Sequence, residues 1–173
     1  MLSLGVYVIL KKVTEEMAEF TIAICWDRFE GICKECADLI YHVLLLFVGF
    51  EIRYERLLET MKTKLNQTCS ITSLMCLENL VLKVYDDINC DRNNKFKKAR
   101  NIEGAIDVMI RKLYLSVASL TTICLKINIS AEATESAISN IICEVLINAL
   151  VLLHYRGVRY HEVVKVLISR CYH

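Results

Sequence analysis

KECADLIYHVLLLF, residues 34–47, is the stretch on which the fold turns. Apolar residues cover it nearly all round, which is the mark of a helix buried on every side. The apolar run that it opens, Leu39–Phe50, is the longest in the chain at 12 residues and contains His42. A membrane span needs roughly 20, so a buried core helix is the reading. Two acids sit at its start. Glu35 and Asp38 are three apart and share one face, and His42 continues that stripe four residues later.

The rest of the chain agrees with helices. Its 173 residues contain no proline and only five glycines. Leu, Ile, Val, Glu and Lys recur at helical spacing, and no Ile/Val run is bracketed by hairpin signals. The expectation is an all-α protein, an antiparallel helical bundle. Hydrophobic residues make up 55% and the net charge is +1, so whole-chain charge argues against a nucleic-acid partner or an anionic membrane surface. The N-terminal MLSLGVYVIL lacks the basic n-region and cleavage site of a signal peptide. A cytoplasmic protein is expected. The nine cysteines are odd in number, scattered, and mostly at apolar helical positions. They read as small buried hydrophobes. Cys33 and Cys36 form a lone CxxC with no second pair at metal-ligand spacing.

Outward from the core stretch, a first helix is expected from Leu4 to Cys25 and a turn over WDRFEG, 26–31. The second helix covers Ile32–Phe47 and a third runs to Leu65 after a turn near Gly49–Glu51. A fourth is expected over Leu74–Ile88. NCDRNNKFKKARN, 89–101, reads as a basic surface loop. Helices over 102–126, 131–154 and 160–171 complete the chain.

IRYERLLETMKTK, 52–64, echoes VRYHEVVKVLISR, 158–170, at an offset of 106 residues. At the same offset Leu44–Phe47 falls on Leu150–Leu153 and Asp38 on Glu144. The echo suggests two related helical halves, 1–66 and 67–173, packed as an intramolecular pseudo-dimer. Homo-oligomerisation is the other way to pair such units.

KKVTEEMAEF, 11–20, carries three more acids. Glu16 and Glu19 share one face of the first helix. Folding the second helix back at the turn sets Glu19 level with Glu35 and Glu16 level with Asp38. Four carboxylates facing one another in a half-dry hairpin repel and raise one another's pKa. A hard divalent cation removes the conflict. Mg²⁺ takes about six oxygens, from carboxylates, waters and substrate phosphates. The spacing therefore points to a Mg²⁺ site that also binds a phosphate chain. A solvated charged face is the alternative, and it suits the second helix poorly. His42 reads as a hydrogen-bonded core residue, because magnesium disfavours imidazole.

Glu15-Glu16-x-x-Glu19, fifteen residues, then Glu35-x-x-Asp38 resembles the EExxE…ExxD signature of the all-α nucleotide pyrophosphohydrolases of MazG type. Within them, KKVTEEMAEF and ECADLIYHVLLLF look most like phosphoribosyl-ATP pyrophosphatase, over about residues 4–64. The resemblance implies Mg²⁺ held by Glu16, Glu19, Glu35 and Asp38, with Glu15 as a water-orienting acid. It implies that Lys11 and Lys12 meet substrate phosphates, with Arg53 and Arg56 as weaker candidates. The implied reaction is hydrolysis of a nucleotide between the α and β phosphates, with phosphoribosyl-ATP, an intermediate of histidine biosynthesis, as leading substrate. The family's N-terminal substrate segment is absent or reduced to MLSLGVYVIL, which leaves a nucleoside-triphosphate pyrophosphatase as the alternative enzyme. An inactive paralogue serving as a helical interaction module is the alternative outside enzymes. In a second copy the ExxD position reads Ile141-x-x-Glu144, and Glu103 and Asp107 could imitate one glutamate pair. Arg156-x4-His161 fits the loose pattern of HEPN ribonucleases. Gly157 stands where those enzymes carry a polar residue, so a helix-terminal turn is the better reading.

Overall fold

Ile9, Val13, Met17, Phe20 and Ile24 bury one face of the first helix at three- and four-residue steps. That face makes α1, Val6–Trp26. The computed structural model describes residues 5–64, 102–125 and 131–171. The remaining helices are α2 (Phe29–Gly49), α3 (Tyr54–Lys64), α4 (Ile102–Leu125), α5 (Ala131–Tyr155) and α6 (Tyr160–Cys171). Among the described residues there is no strand. The expected all-α bundle is the observed fold.

The element bounds differ from expectation mainly at the first turn. Asp27 and Arg28 alone separate α1 from α2. Arg28 takes the extended N-cap conformation, and Phe29 and Glu30 already lie in the first turn of α2. Glu30 there complements the positive end of the helix dipole. Gly31 is thus helical rather than a turn residue. The expected helix at 74–88 and the basic loop at 89–101 lie outside the described residues.

Helices α1 and α2 pack along each other, and so do α4 and α5. The third helix of each set crosses over: α3 packs on α5, and α6 packs on α2. Further contacts join α1 to α4 and α2 to α5. One core results, filled from both sets by side chains such as Phe20, Leu46, Leu113, Leu120, Ile142 and Leu152. By length and composition alone, α4 and residues Glu135–Tyr155 of α5 could each cross a membrane. Core helices of a soluble bundle pass the same test; 61% of the α5 window and 33% of the α4 window are buried.

The helix-ending turns of the two sets share their closing hydrogen bonds. After α2, Ile52 N–H donates to the Phe47 carbonyl at 3.3 Å and Glu51 N–H to that of Val48 at 2.9 Å. After α5, Val158 N–H donates to Leu153 at 2.9 Å and Gly157 N–H to His154 at 3.0 Å. Each turn closes through a left-handed residue, Glu51 at φ 55° and Gly157 at φ 69°.

A side chain in the left-handed region costs roughly 1–2 kcal/mol, and glycine returns part of that as unfolded-state entropy. Glu51→Gly should therefore stabilise the fold by about 0.5–1 kcal/mol. Gly157→Ala should destabilise it by about 1 kcal/mol. Urea melts of the two variants measure both signs.

Burial sets the chemistry of the thiols. It pushes Cys143 up to about 12 and Cys124 up to about 11, and raises Cys36 still further. Cys25 is exposed. A thiol reagent at neutral pH should label Cys25 within minutes and leave Cys36, Cys124 and Cys143 unmodified until denaturant is added. Mass spectrometry of the labelled peptides reads this out.

Candidate metal centre

The two-residue connection folds α2 back along α1, so positions on the facing sides meet in reverse order. Glu16 comes from α1, and Glu35 and Asp38 lie one turn apart on α2. One carboxylate oxygen of each lies within 4.8 Å of the other two. Glu16 is buried, and Glu35 and Asp38 are half-buried. Three like charges at this spacing in a partly dry site repel strongly.

Some compensation comes from inside the chain. Lys34 Nζ lies 2.8 Å from Glu35 Oε1. Glu35 Oε2 is buried and has no hydrogen-bond partner. A buried carboxylate oxygen left without a partner costs free energy. Lys12 Nζ approaches Glu16 only to 3.8 Å. The donor set is all carboxylate oxygen, the hard-ligand chemistry of Mg²⁺ rather than of zinc or copper. The residues present fit such an ion.

Glu19 stands beside this group on the exposed side of α1. The charge of Glu16 holds its carboxyl above the ordinary range, with partial desolvation and Glu35 adding to the effect. Glu15 points elsewhere. It pairs with Lys12 at 2.9 Å and Lys11 at 3.3 Å, and the hydrogen bonds to the two lysines hold its carboxyl low. The pair of lysines is thus arranged by Glu15 at the edge of the acidic group.

His42 is buried one turn beyond Asp38. Its Nδ1 lies 2.8 Å from the Asp38 backbone carbonyl. A carbonyl only accepts, so Nδ1 carries the proton and donates. Burial lowers the imidazole pKa despite the nearby Glu16 charge. The neutral ring buttresses the turn that carries Asp38, and its Nδ1 lies 3.8 Å from Glu16 Oε1. Arg53 immediately precedes α3 and Arg56 lies in its first turn, and α3 packs on α5. Arg53 is exposed there, and Arg56 faces Glu59 of its own helix at 3.9 Å.

Lys34 is the member that sequence reasoning passed over. The available signal was its place beside Glu35, but neighbours in a helix usually diverge. Only the coordinates show its ammonium turned back onto the carboxylate.

Comparison with known proteins agrees with this geometry. Residues 2–64 match the family model described as phosphoribosyl-ATP pyrophosphohydrolase. A phosphoribosyl-ATP pyrophosphatase of Clostridium botulinum strain Hall is 33% identical over 66 residues, which are 38% of this chain and 60% of that protein. One from Bacillus cytotoxicus is 40% identical over 57 residues, 33% of this chain and 53% of that protein. The chain thus spans between half and two thirds of the length of these curated relatives. No solved structure matches it. Over residues 2–64, the segment that holds every member of the acidic group, the chain is similar to the phosphoribosyl-ATP pyrophosphohydrolases.

Proposed function

We propose that the α1–α2 hairpin is the active centre of a Mg²⁺-dependent pyrophosphohydrolase that cleaves a nucleotide between its α and β phosphates, with phosphoribosyl-ATP as substrate. The observation that carries this reading is the convergence of Glu16, Glu35 and Asp38 with one buried carboxylate oxygen unsatisfied. Those three residues would hold the ion, with Glu19 at its open side. When bound, Mg²⁺ supplies Lewis-acid stabilisation of the charge that develops on phosphoryl oxygens.

The chain's own residues do the rest. Lys11 and Lys12, positioned by Glu15, offer ammonium groups at the rim to the phosphate chain. Glu19, the carboxylate with the raised pKa, is the group placed to take a proton from the attacking water. His42 fixes the backbone under Asp38 and keeps one wall of the site dry. The protein works in the cytoplasm on a soluble nucleotide, without a membrane or nucleic-acid partner.

We further propose that α4–α6 is a second copy of α1–α3 and acts as its intramolecular partner. The crossed packing of α3 and α6 and the matching turns support it. One chain then holds one acidic centre and one altered counterpart.

The deciding experiment is pyrophosphate release with Mg²⁺ from phosphoribosyl-ATP beside a panel of nucleoside triphosphates. Turnover of phosphoribosyl-ATP is expected. Asp38→Asn and Glu35→Gln should each lower kcat/KM by about 100-fold or more with helix content unchanged. Glu144→Gln, in the second half, should change it by less than about threefold. Full activity in both first-half variants rules out the metal-centre assignment, and turnover of triphosphates alone makes the protein a nucleotide-pool enzyme.

The ion should also stabilise the fold. At a Mg²⁺ concentration about 100 times its Kd, binding contributes about 2.7 kcal/mol. For a chain of this size that raises Tm by roughly 5–10 °C. Calorimetry should detect the rise in the wild type and its loss in Asp38→Asn.

A further inference from the structure

Between α4 and α5 lies a cleft of about 330 Å³, lined by Lys112, Leu115, Ser116, Ser119, Glu144 and Asn148. Its place in the fold is informative. Buried positions of α4 follow those of α1 at a spacing of 100 residues: Ile9, Val13, Met17, Phe20 and Ile24 have Met109, Leu113, Val117, Leu120 and Cys124 as counterparts. Buried positions of α5 follow those of α2 at 106 residues, with Leu39, Val43 and Leu46 answered by Val145, Ala149 and Leu152. In this register Lys112 and Ser116 stand where Lys12 and Glu16 stand, and Glu144 and Asn148 where Asp38 and His42 stand. The contact between the buried pair persists. Asn148 Nδ2 donates to Ser116 Oγ at 3.3 Å, where His42 Nδ1 lies 3.8 Å from Glu16.

The chemistry, however, is inverted. Serines occupy the Glu16 and Glu19 positions, leucine that of Glu15 and isoleucine that of Glu35. One carboxylate remains, Glu144, and Lys64 of α3 already holds it at 2.8 Å. Glu103 and Asp107, the acids that sequence reasoning offered as substitutes, are not among the residues lining the cleft. Such a cleft lacks the carboxylate cluster of a hard-cation site, its one carboxylate being paired with Lys64. It offers the Lys112 ammonium, the Ser119 hydroxyl and the Asn148 amide, the last oriented by Ser116, whose own hydroxyl donates to the Lys112 carbonyl at 3.0 Å. These are donors for an anion. Leu115, itself largely exposed, adds an apolar edge, and the volume falls at the small end of ligand sites, which run from about 300 to 1,000 Å³.

We propose that this cleft is a second ligand site, one that takes a small phosphorylated nucleoside without a metal ion. It stands apart from the chemistry of the acidic centre: the nucleotide phosphate meets Lys112 and Ser119 directly, and the base or sugar lies against Leu115.

Isothermal titration of the full chain with AMP in EDTA tests it, beside inorganic phosphate under the same conditions. The expected result is one AMP per chain, bound at least tenfold more tightly than phosphate. Lys112→Glu and Ser119→Leu, both at exposed positions, should each weaken AMP by tenfold or more while circular dichroism and Tm stay unchanged. Asp38→Asn should leave this binding intact. No AMP binding in EDTA, equal affinity for AMP and phosphate, or binding that survives Lys112→Glu and fails in Asp38→Asn overturns the proposal.

Discussion

Mutual repulsion among Glu16, Glu35 and Asp38 is the constraint around which the first half is built. Three carboxylates within 4.8 Å of one another oppose the close approach of α1 and α2. The two helices approach regardless, because the apolar faces on either side of the acids leave water together. Phe20, Ile24, Leu39, Val43 and Leu46 are all buried in that contact region or the core it joins. Apolar burial holds the acids at a spacing that they would not choose. Under the proposed function, a site so held is preorganised for a cation, since the protein has already met the cost of bringing the charges together.

The same constraint explains the surroundings. Lys34 and Lys12 lie at the edges of the group, and each offsets part of its charge. His42 stays neutral beneath it, where a charged ring would have neutralised the group and competed with a metal. Glu15, although adjacent to Glu16 in the chain, is turned out to the lysines. The helix thereby separates two jobs between neighbouring glutamates: one faces inward to the cluster, the other arranges cations at its rim.

Among the described residues the second half carries no such acidic cluster. Ser116 and Asn148 satisfy each other where an acid and a histidine stand in the first, and Glu144 is matched by Lys64 from across the molecule. Meanwhile the crossed packing of α3 on α5 and α6 on α2 makes each half the cover for the other's core.

Much of this was legible in the residues. Helical periodicity, the absence of proline and the all-round apolar stretch at 39–47 determined an all-α bundle with α2 at its centre. The i, i+3 acids on two consecutive helices determined that carboxylates would meet, because a short turn leaves two helices no choice but to fold back. Sequence also carried the echo at 52–64 and 158–170. What only tertiary structure decided were directions and partners. It turned Glu15 out to the lysines and laid the exposed Lys34 ammonium against Glu35, since rotamers answer to the packed surroundings. It also set the register of α4 against α1, which the echo could not supply because its spacing of 106 residues becomes 100 there. The length of a connection changes between the two halves while burial keeps the helix faces in step, and burial is a property of the packed molecule alone.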